Sequence, residues 1–543
     1  MVNGEAGVTP SGPALSRSDI YALAALAALS LGLFLHIHMH GDIWWMDASR
    51  HAMNGIFVLD FLRSMPFRHP VGFADAYYVQ WPALTILFYP PLFYVSLALG
   101  YALFGTSEWS ALLVEIAWLF LLLAGCFRLS RNWLGTGGAL AVALTVLAGK
   151  EVFFWGQQIM LDIPAYALIV WSAYYATGYL RSDRSWAILP AAVLAVLAVW
   201  TKYNSACFLV VIAVAVLMER GIGVLRERTI QQAIAVSLAL FIPVVLLFFA
   251  FGRYNLTQAY AMGRDGDRLG EFLVYARYLP RVLSWPVIVL SSLYIITAAV
   301  RPRHRIDRAS AILLLSWVAM MYLFYSTIHI KEPRHILMIG FPLALAAVLF
   351  VDRSLNAWRW RGSCLVVAAA SLLTATLVRI PIPYVSGMHA AAVIVSKVAP
   401  QDTNVAVWCR YDGTFVFDMR AYGRRPDLGV VRMDKVLFSD VAVGFERGYK
   451  TNEFDVISLL RRLKALHVQY VVFQTGYMQN TAPVATLAKL LATGAFIHVT
   501  NIRMSANYAF SPITTLQIYR LKQDLPPGRP NQKILIGILG KSV

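Results

Sequence analysis

Repeated apolar runs constrain this chain more than any other feature. Segments such as YALAALAALSLGLFL (21–35), SWAILPAAVLAVLAVW (185–200) and QAIAVSLALFIPVVLLFFAF (232–251) approach or reach the roughly 20 residues that a helix needs to cross a bilayer. Only 14% of the 543 residues are charged, against roughly 25% in an average soluble protein. Backbone polar groups in hydrocarbon must be satisfied within their own segment, so runs of this kind cross as helices. A soluble globular fold is excluded for most of the length. The chain is expected to be a polytopic α-helical membrane protein.

Spans are read near 20–37, 109–127, 137–155, 163–180, 186–201, 205–218, 230–251, 283–300, 309–327, 335–350 and 362–379, eleven in all. The first run lacks a small-residue cleavage pattern and is expected to stay as a span. The apolar segment 85–105 carries Pro90-Pro91, and charge decides its placement. With eleven spans, the connections holding Arg128 and Arg131, Arg181 and Arg184, Arg220 to Arg228, Arg301 to Arg308, and Arg353 to Arg361 share the side of the N-terminus. The positive-inside rule makes that side cytoplasmic. A twelfth crossing at 85–105 would put all five outside, so this segment is expected to be a re-entrant or interfacial hairpin within a large first outer loop, 38–108. The net charge of +18 is thus partly a topology signal, and a nucleic-acid partner is dropped.

Residues 1–19 read as a cytoplasmic tail and 20–379 as a transmembrane domain. Beyond 380, SGMHAAAVIVSKV, NVAVWCR, DVISLLRRLKAL, VQYVVFQ, TLAKLLATGAF and TTLQIYRLK alternate helix-like and strand-like patterns between polar turns. They predict an α/β domain over 380–522 on the outer side, followed by a loose tail, 523–543. Cys126, Cys207 and Cys364 lie in apolar segments and Cys409 in a polar one, which offers neither a disulfide framework nor metal spacing.

This topology gathers the unusual polar residues on the outer face. The first outer loop carries WWMDASRHAMNGIFVLDFL with Asp47, Arg50 and His51; the third span ends at FFWGQQIMLDIP with Gln157, Gln158 and Asp162. The fifth ends at WTKYNS with Lys202, and the ninth at IHIKEPRHIL with Lys331, Glu332, Arg334 and His335. Charges held at a membrane interface are costly to desolvate and default to function. Carboxylates beside several cations suit a reaction in which a base activates a hydroxyl while an anionic group departs.

Each of these residues also has a plainer explanation. Asp47 and Arg50, spaced i, i+3, fit a surface ion pair. Asp162, before Ile163-Pro164, fits an N-cap, and Lys202 and Arg334 fit cations that snorkel to headgroups. His36, His38 and His40 are read as interfacial histidines rather than metal ligands, and Glu115 inside the second span as an acid that pairs with another helix. Tyr77, Tyr78, Trp81, Phe88, Tyr89 and Tyr94 read as an aromatic belt.

Taken in order and on one face, MDASRHA (Asp47, Arg50), YPPLFYVSLALGYALFG (Pro90, Pro91), MLDIP (Asp162, Pro164), TKYNS (Lys202) and KEPRHIL (Arg334) resemble the GT-C membrane glycosyltransferases, over most of 20–350. The group resembled contains the dolichyl-phosphate-mannose protein mannosyltransferases and the bacterial lipid A aminoarabinose transferase. The resemblance implies a sugar donor linked to polyprenyl phosphate, and an acceptor that is a lipid, a glycan or a protein. It also implies a bacterial inner-membrane location with the active site and C-terminal domain periplasmic. Asp47 would be the catalytic base and Asp162 a second catalytic-site carboxylate, with Lys202, Arg334 and Arg50 holding the donor phosphate. His51, Tyr89, Gln158, Lys331 and His335 would position substrate; no metal ligand is assigned, and a divalent-metal requirement is left open. The aminoarabinose group has Lys immediately before Pro-Pro, where this chain has Tyr89.

Two other readings are open. A transporter or flippase of a polyprenyl lipid or anionic solute predicts polar residues near mid-membrane and paired broken helices, whereas here the polar residues sit mainly at outer ends. The segments RYDGTFVFDMRAYGRR (410–425) and RMDKVLF (432–438) could supply charge to bind an acidic or carbohydrate acceptor, or simply solvate a surface.

Overall fold

A computed structural model describes residues 15–37, 41–86, 88–181, 184–253, 255, 268–441, 448–507, 514–526, 535–536 and 541–542. The chain forms two compact units: residues 1–35, 89–92 and 115–381, and residues 36–88, 93–114 and 382–543.

The first unit is helical. Across the described chain, seven helices are long and apolar enough to cross a membrane: Arg17–Ile37, Glu108–Ser130, Tyr203–Arg220, Arg228–Gly252, Arg308–Ser326, Pro333–Ser354 and Arg361–Arg379. Leu269–Leu283 and Trp285–Val300, bent by 114° at a short break, make an eighth if taken as one span. Ser284 turns the chain there with φ 78. Eleven crossings are not reached on length and composition: Thr136–Ala148 and Ser185–Thr201, for example, are apolar but short. The Asp162–Arg181 helix is buried along most of its length, so neighbouring helices rather than lipid surround it. The expected span 137–155 breaks at Gly149 into Thr136–Ala148 and Lys150–Trp155. A side chain at Gly149 would meet the Val282 carbonyl oxygen at 2.7 Å, so this break is also a close helix approach. Within its most apolar stretch, Pro333–Ser354 is 72% buried and Arg228–Gly252 only 6%, which makes the former central and the latter lipid-facing. The chain is a multi-pass membrane protein.

The second unit holds most of the first outer loop, without residues 89–92, and the C-terminal residues. The segment 85–105 is not a hairpin: an irregular stretch through Pro90-Pro91 leads into one helix, Leu92–Phe104. Its 13 residues reach about 20 Å, short of the roughly 30 Å hydrocarbon core. Pro lacks an amide donor and disfavours helical conformation in the residue before it, which fits a helix that starts just after the pair. This helix packs on Met46–Ser64, where Gly55 allows close approach to Leu97 and Tyr101.

The C-terminal elements form a five-stranded sheet in the order Gly429–Arg432, Asn404–Trp408, Val468–Gln474, Thr515–Leu521, Phe496–Arg503. The first three strands run parallel and the last two pair antiparallel. Val468–Gln474 is wholly buried, as the run VQYVVFQ requires of a central strand. The strand- and helix-like patterns beyond 380 take those forms, including the helix Val456–Ala465 behind an Asp455–Ser458 capping box.

The C-terminal stretch of this unit begins at 382, beside the expected boundary at 380, and residues 36–88 and 93–114 belong to the same unit. Thr414 Oγ1 donates to the Ile43 carbonyl at 2.7 Å, and Gln80 Nε2 donates to the Pro426 and Leu428 carbonyls at 2.7 and 2.8 Å. Asp60 accepts from Tyr77 and pairs with Arg420, while Asp42 accepts the Met388 and His389 amides. The outer loop is therefore built onto the α/β fold. Most of the expected tail, 523–543, and residues His38 and His40 lie outside the described residues.

Candidate functional site

Two antiparallel helices joined by a short connection place the first pair of charges. Asp162 opens the helix Asp162–Arg181, where the amides favour a carboxylate and Pro164 is tolerated in the first turn. Lys202 follows the helix Ile188–Thr201 in an extended conformation, and its amide donates to the Ala198 carbonyl. The N-terminus of one helix thus meets the C-terminus of the other. Lys202 Nζ donates to Asp162 Oδ1 at 2.6 Å, with the two side chains 10% and 3% exposed. Lys202 does not snorkel, and Asp162 acts as an ion-pair partner rather than an N-cap.

The segment Pro333–Ile339, a 3₁₀ helix leading into Gly340–Ser354, brings in the second cation. The Arg334 guanidinium pairs with Glu332 and lies 4.9 Å from the centre of the Trp155 ring. His335 Nδ1 shares a hydrogen bond with the Tyr275 hydroxyl at 3.1 Å, and its ring stacks on Tyr325. Arg334 and His335 both act electrostatically on Asp162, so these groups and Lys202 share one neighbourhood. Lys331 donates to the Tyr325 and Ser326 carbonyls and lies 5.2 Å from the Tyr275 ring centre. Partial burial holds its ammonium below the usual lysine range. Gln158 is buried one turn before Asp162, and Tyr89 is half-buried in the same unit.

Several residues of this neighbourhood were not singled out from the sequence. Glu151 accepts the Trp155 indole N–H at 2.9 Å and lies 3.8 Å from Arg281. Tyr275 and Tyr325 frame His335. Their aromatic and acidic residue types carry no positional signal; only the i, i+4 spacing of Glu151 and Trp155 hints at a bond. Glu115 is fully buried and accepts the Met160 amide, two residues before Asp162.

Asp47, Arg50 and His51 belong to the second unit. Asp47 lies in the first turn of Met46–Ser64, 41% exposed, and pairs with Arg50 at 3.5 Å, the surface ion pair that the spacing also suggested. His51 is buried, bonded and stacked to Tyr94. Arg50 acts on Asp434, which belongs to a buried network: Arg432 pairs with Asp412 at 2.7 Å and Asp434 at 2.8 Å, and donates to the Pro82 carbonyl. Burial works against the Arg432 charge, yet Asp412 and Asp434 raise its pKa. Burial likewise opposes ionisation of Asp434, but Arg432, Lys435 and Arg50 hold its carboxyl below the usual range. Parts of 410–425 and 432–438 are thus internal ion-pair partners rather than a solvated surface.

A phosphate entering beside Lys202 and Arg334 would offer charge-assisted bonds in place of Asp162 and Glu332. Among the described residues, no three His, Cys, Asp or Glu side chains converge as metal ligands.

Residues 89–247 match the family model of dolichyl-phosphate-mannose-protein mannosyltransferase. No curated protein matches the sequence. ArnT from Cupriavidus metallidurans, crystallised bound to undecaprenyl phosphate, is similar with a TM-score of 0.61 and 14% identity, over 94% of this chain and 100% of that one. Arabinofuranosyltransferase AftD from Mycobacteria matches with a TM-score of 0.55 and 14% identity, over 94% of this chain and 40% of that one. The oligosaccharyltransferase of Archaeoglobus fulgidus in the apo form matches with 0.53 and 11%, over 95% of this chain and 76% of that one. The chain has the fold of the GT-C membrane glycosyltransferases, as its motifs suggested.

Proposed function

We propose that this GT-C-type membrane glycosyltransferase moves one sugar from a polyprenyl-phosphate donor to a lipid, glycan or protein acceptor, with inversion, at the periplasmic face of a bacterial inner membrane. In this reading residues 20–379 carry the transmembrane catalytic domain and 380–522 lie on the periplasmic side. The observation that supports it best is the buried Lys202–Asp162 pair with Arg334 and His335 beside it, at the ends of apolar helices. Such a place suits an anionic headgroup whose tail stays in the bilayer.

Lys202 and Arg334 would hold the donor phosphate, with Arg50 as a further phosphate ligand and Lys331, His335, Gln158, Tyr89 and His51 positioning substrate. Asp47, the exposed carboxylate, would take the proton of the acceptor hydroxyl. The acceptor oxygen then bonds to the anomeric carbon as the carbon–oxygen bond to phosphate breaks, and polyprenyl phosphate leaves with that electron pair. Backside attack inverts the configuration. The cations stabilise charge that grows on the leaving phosphate, while Asp162 keeps Lys202 oriented and neutralised before the donor arrives.

The test is transfer from a synthetic undecaprenyl-phosphate sugar by the purified protein in nanodiscs. Asp47→Asn should lower the rate by roughly 10²–10⁴ while donor binding persists. Wild-type turnover in that variant would overturn the role of Asp47. Sugar crossing a vesicle membrane without a new glycosidic product would support a transporter instead.

A further inference from the structure

The first outer loop contains a surface that water does not suit. Between the helices Met46–Ser64 and Pro70–Gln80 the chain turns at Met65, φ 46, whose amide closes the first helix on the Phe61 carbonyl. Leu62, Met65, Phe67 and Val71 are 50%, 68%, 65% and 57% exposed around this turn. Arg63, Arg68 and His69 alternate with them, and residues 61–74 contain no Asp or Glu. The turn is not loose: Phe61 packs edge-on against Phe67 and Phe73, and Phe57 packs edge-on against Tyr77 and tilted against Phe73. Leu62, Met65 and Val71 therefore project from a built aromatic core, and Phe67 packs at its edge while most of its surface stays exposed.

We propose that this tip is a membrane-surface anchor. Leu62, Met65, Phe67 and Val71 enter the acyl boundary of the adjacent leaflet, and Arg63, Arg68 and His69 meet the phosphates of anionic lipid headgroups. Large apolar residues interleaved with cations, and free of acids, match that boundary in both polarity and charge. The same unit already carries a surface that lipid would cover: Val95, Leu99, Leu103 and Phe104 of the helix Leu92–Phe104, and the nearby Trp109, are exposed. A protein partner for the tip would more naturally supply acids, and the outcomes below separate the two.

The anchor stands on these observations alone. Its consequence for catalysis rests on the proposed role of Asp47, which lies at the opposite end of the same helix. Nineteen residues at 1.5 Å each span about 28 Å, so fixing one end at the lipid surface would set the depth of the other.

The test uses the full chain, with Cys126, Cys207, Cys364 and Cys409 replaced by Ala, in nanodiscs of phosphatidylcholine with or without phosphatidylglycerol. Nitroxide labels are placed at Met65→Cys or Phe67→Cys, and at Ile457→Cys, exposed on a helix of the α/β domain, as a control. Collisions with oxygen relative to a water-soluble nickel chelate should be severalfold higher at 65 and 67 than at 457. Phosphatidylglycerol should raise the ratio at 67, and Arg63→Glu with Arg68→Glu should abolish that rise. Chelate access at 65 and 67 equal to that at 457 would overturn the anchor, as would protection from both reagents, which would mean a protein cover. Insensitivity to phosphatidylglycerol would overturn the headgroup contact. These readouts do not involve turnover, so an inactive Asp47 hypothesis leaves them unaffected.

Discussion

Replacing Lys202 by Met leaves the Asp162 carboxylate, 3% exposed, without the ammonium 2.6 Å away. The helix N-terminus and Arg334 still favour its charge, but the contact that offsets its burial is lost. Removing one partner of a buried ion pair costs about 3–5 kcal/mol, since the other charge stays desolvated. Asp162→Leu alone strands the ammonium and should cost a similar amount. The double variant removes both charges, and apolar replacement of a buried pair is often neutral or stabilising by about 1–4 kcal/mol. The double variant should therefore be more stable than either single variant. Thermal unfolding of the protein in detergent, followed by intrinsic fluorescence, measures the three against wild type, and sugar transfer is measured in parallel. All three should lose transfer, including the stable double variant. Stabilities that add to within about 0.5 kcal/mol would refute a direct coupling of the pair. Wild-type transfer by the double variant would refute the role of Lys202 at the phosphate.

Three further outcomes follow from the second unit. Burial, with Asp42 and Glu108 nearby, pushes the Asp418 carboxyl well above its usual range. The folded state then binds the proton more tightly than the unfolded state, so stability erodes as pH rises above the ordinary carboxylate value of about 3.9. Asp418→Asn should flatten this slope and stabilise the unit at alkaline pH; identical pH profiles of chemical denaturation would count against it. A methyl at Gly55 would lie 2.6 Å from Leu97 Cβ, so Gly55→Ala should cost about 1–3 kcal/mol, read as a lower unfolding midpoint, and an unchanged midpoint would show that the helices separate freely. Arg432→Met strands Asp412 and Asp434 and removes the bond to the Pro82 carbonyl; it should cost about 3–5 kcal/mol and speed proteolysis near 81–91, where an unchanged cleavage rate would deny the coupling.

Local patterns were legible wherever neighbours in sequence decide the outcome. VQYVVFQ became a buried central strand and TTLQIYRLK its antiparallel partner, because strand periodicity and burial are written within a few residues. Pro90-Pro91 set 85–105 apart, but that one helix rather than a hairpin follows depends on what Leu92–Phe104 packs against. The spacing of Asp47 and Arg50 fitted the ion pair that they make, as the plainer of two readings. Lys202 and Asp162 were each legible as interfacial charges, while their 2.6 Å contact was not, because it needs two helices to run antiparallel and side by side.

By itself the sequence indicated that this chain lives in a membrane, because several apolar runs approach or reach the length that crosses a bilayer, and that an α/β domain follows them. It also marked Asp162 and Lys202 as charges beside apolar runs, and both prove buried. Tertiary structure alone decided that the 137–155 run breaks at Gly149, where a backbone carbonyl leaves no room for a side chain. It decided that the first outer loop and the C-terminal domain are one unit, through bonds such as those from Gln80 to Pro426 and Leu428. Contacts more than 300 residues apart in the chain leave no periodic trace in it; they form where the fold brings a donor within reach of a carbonyl or carboxylate.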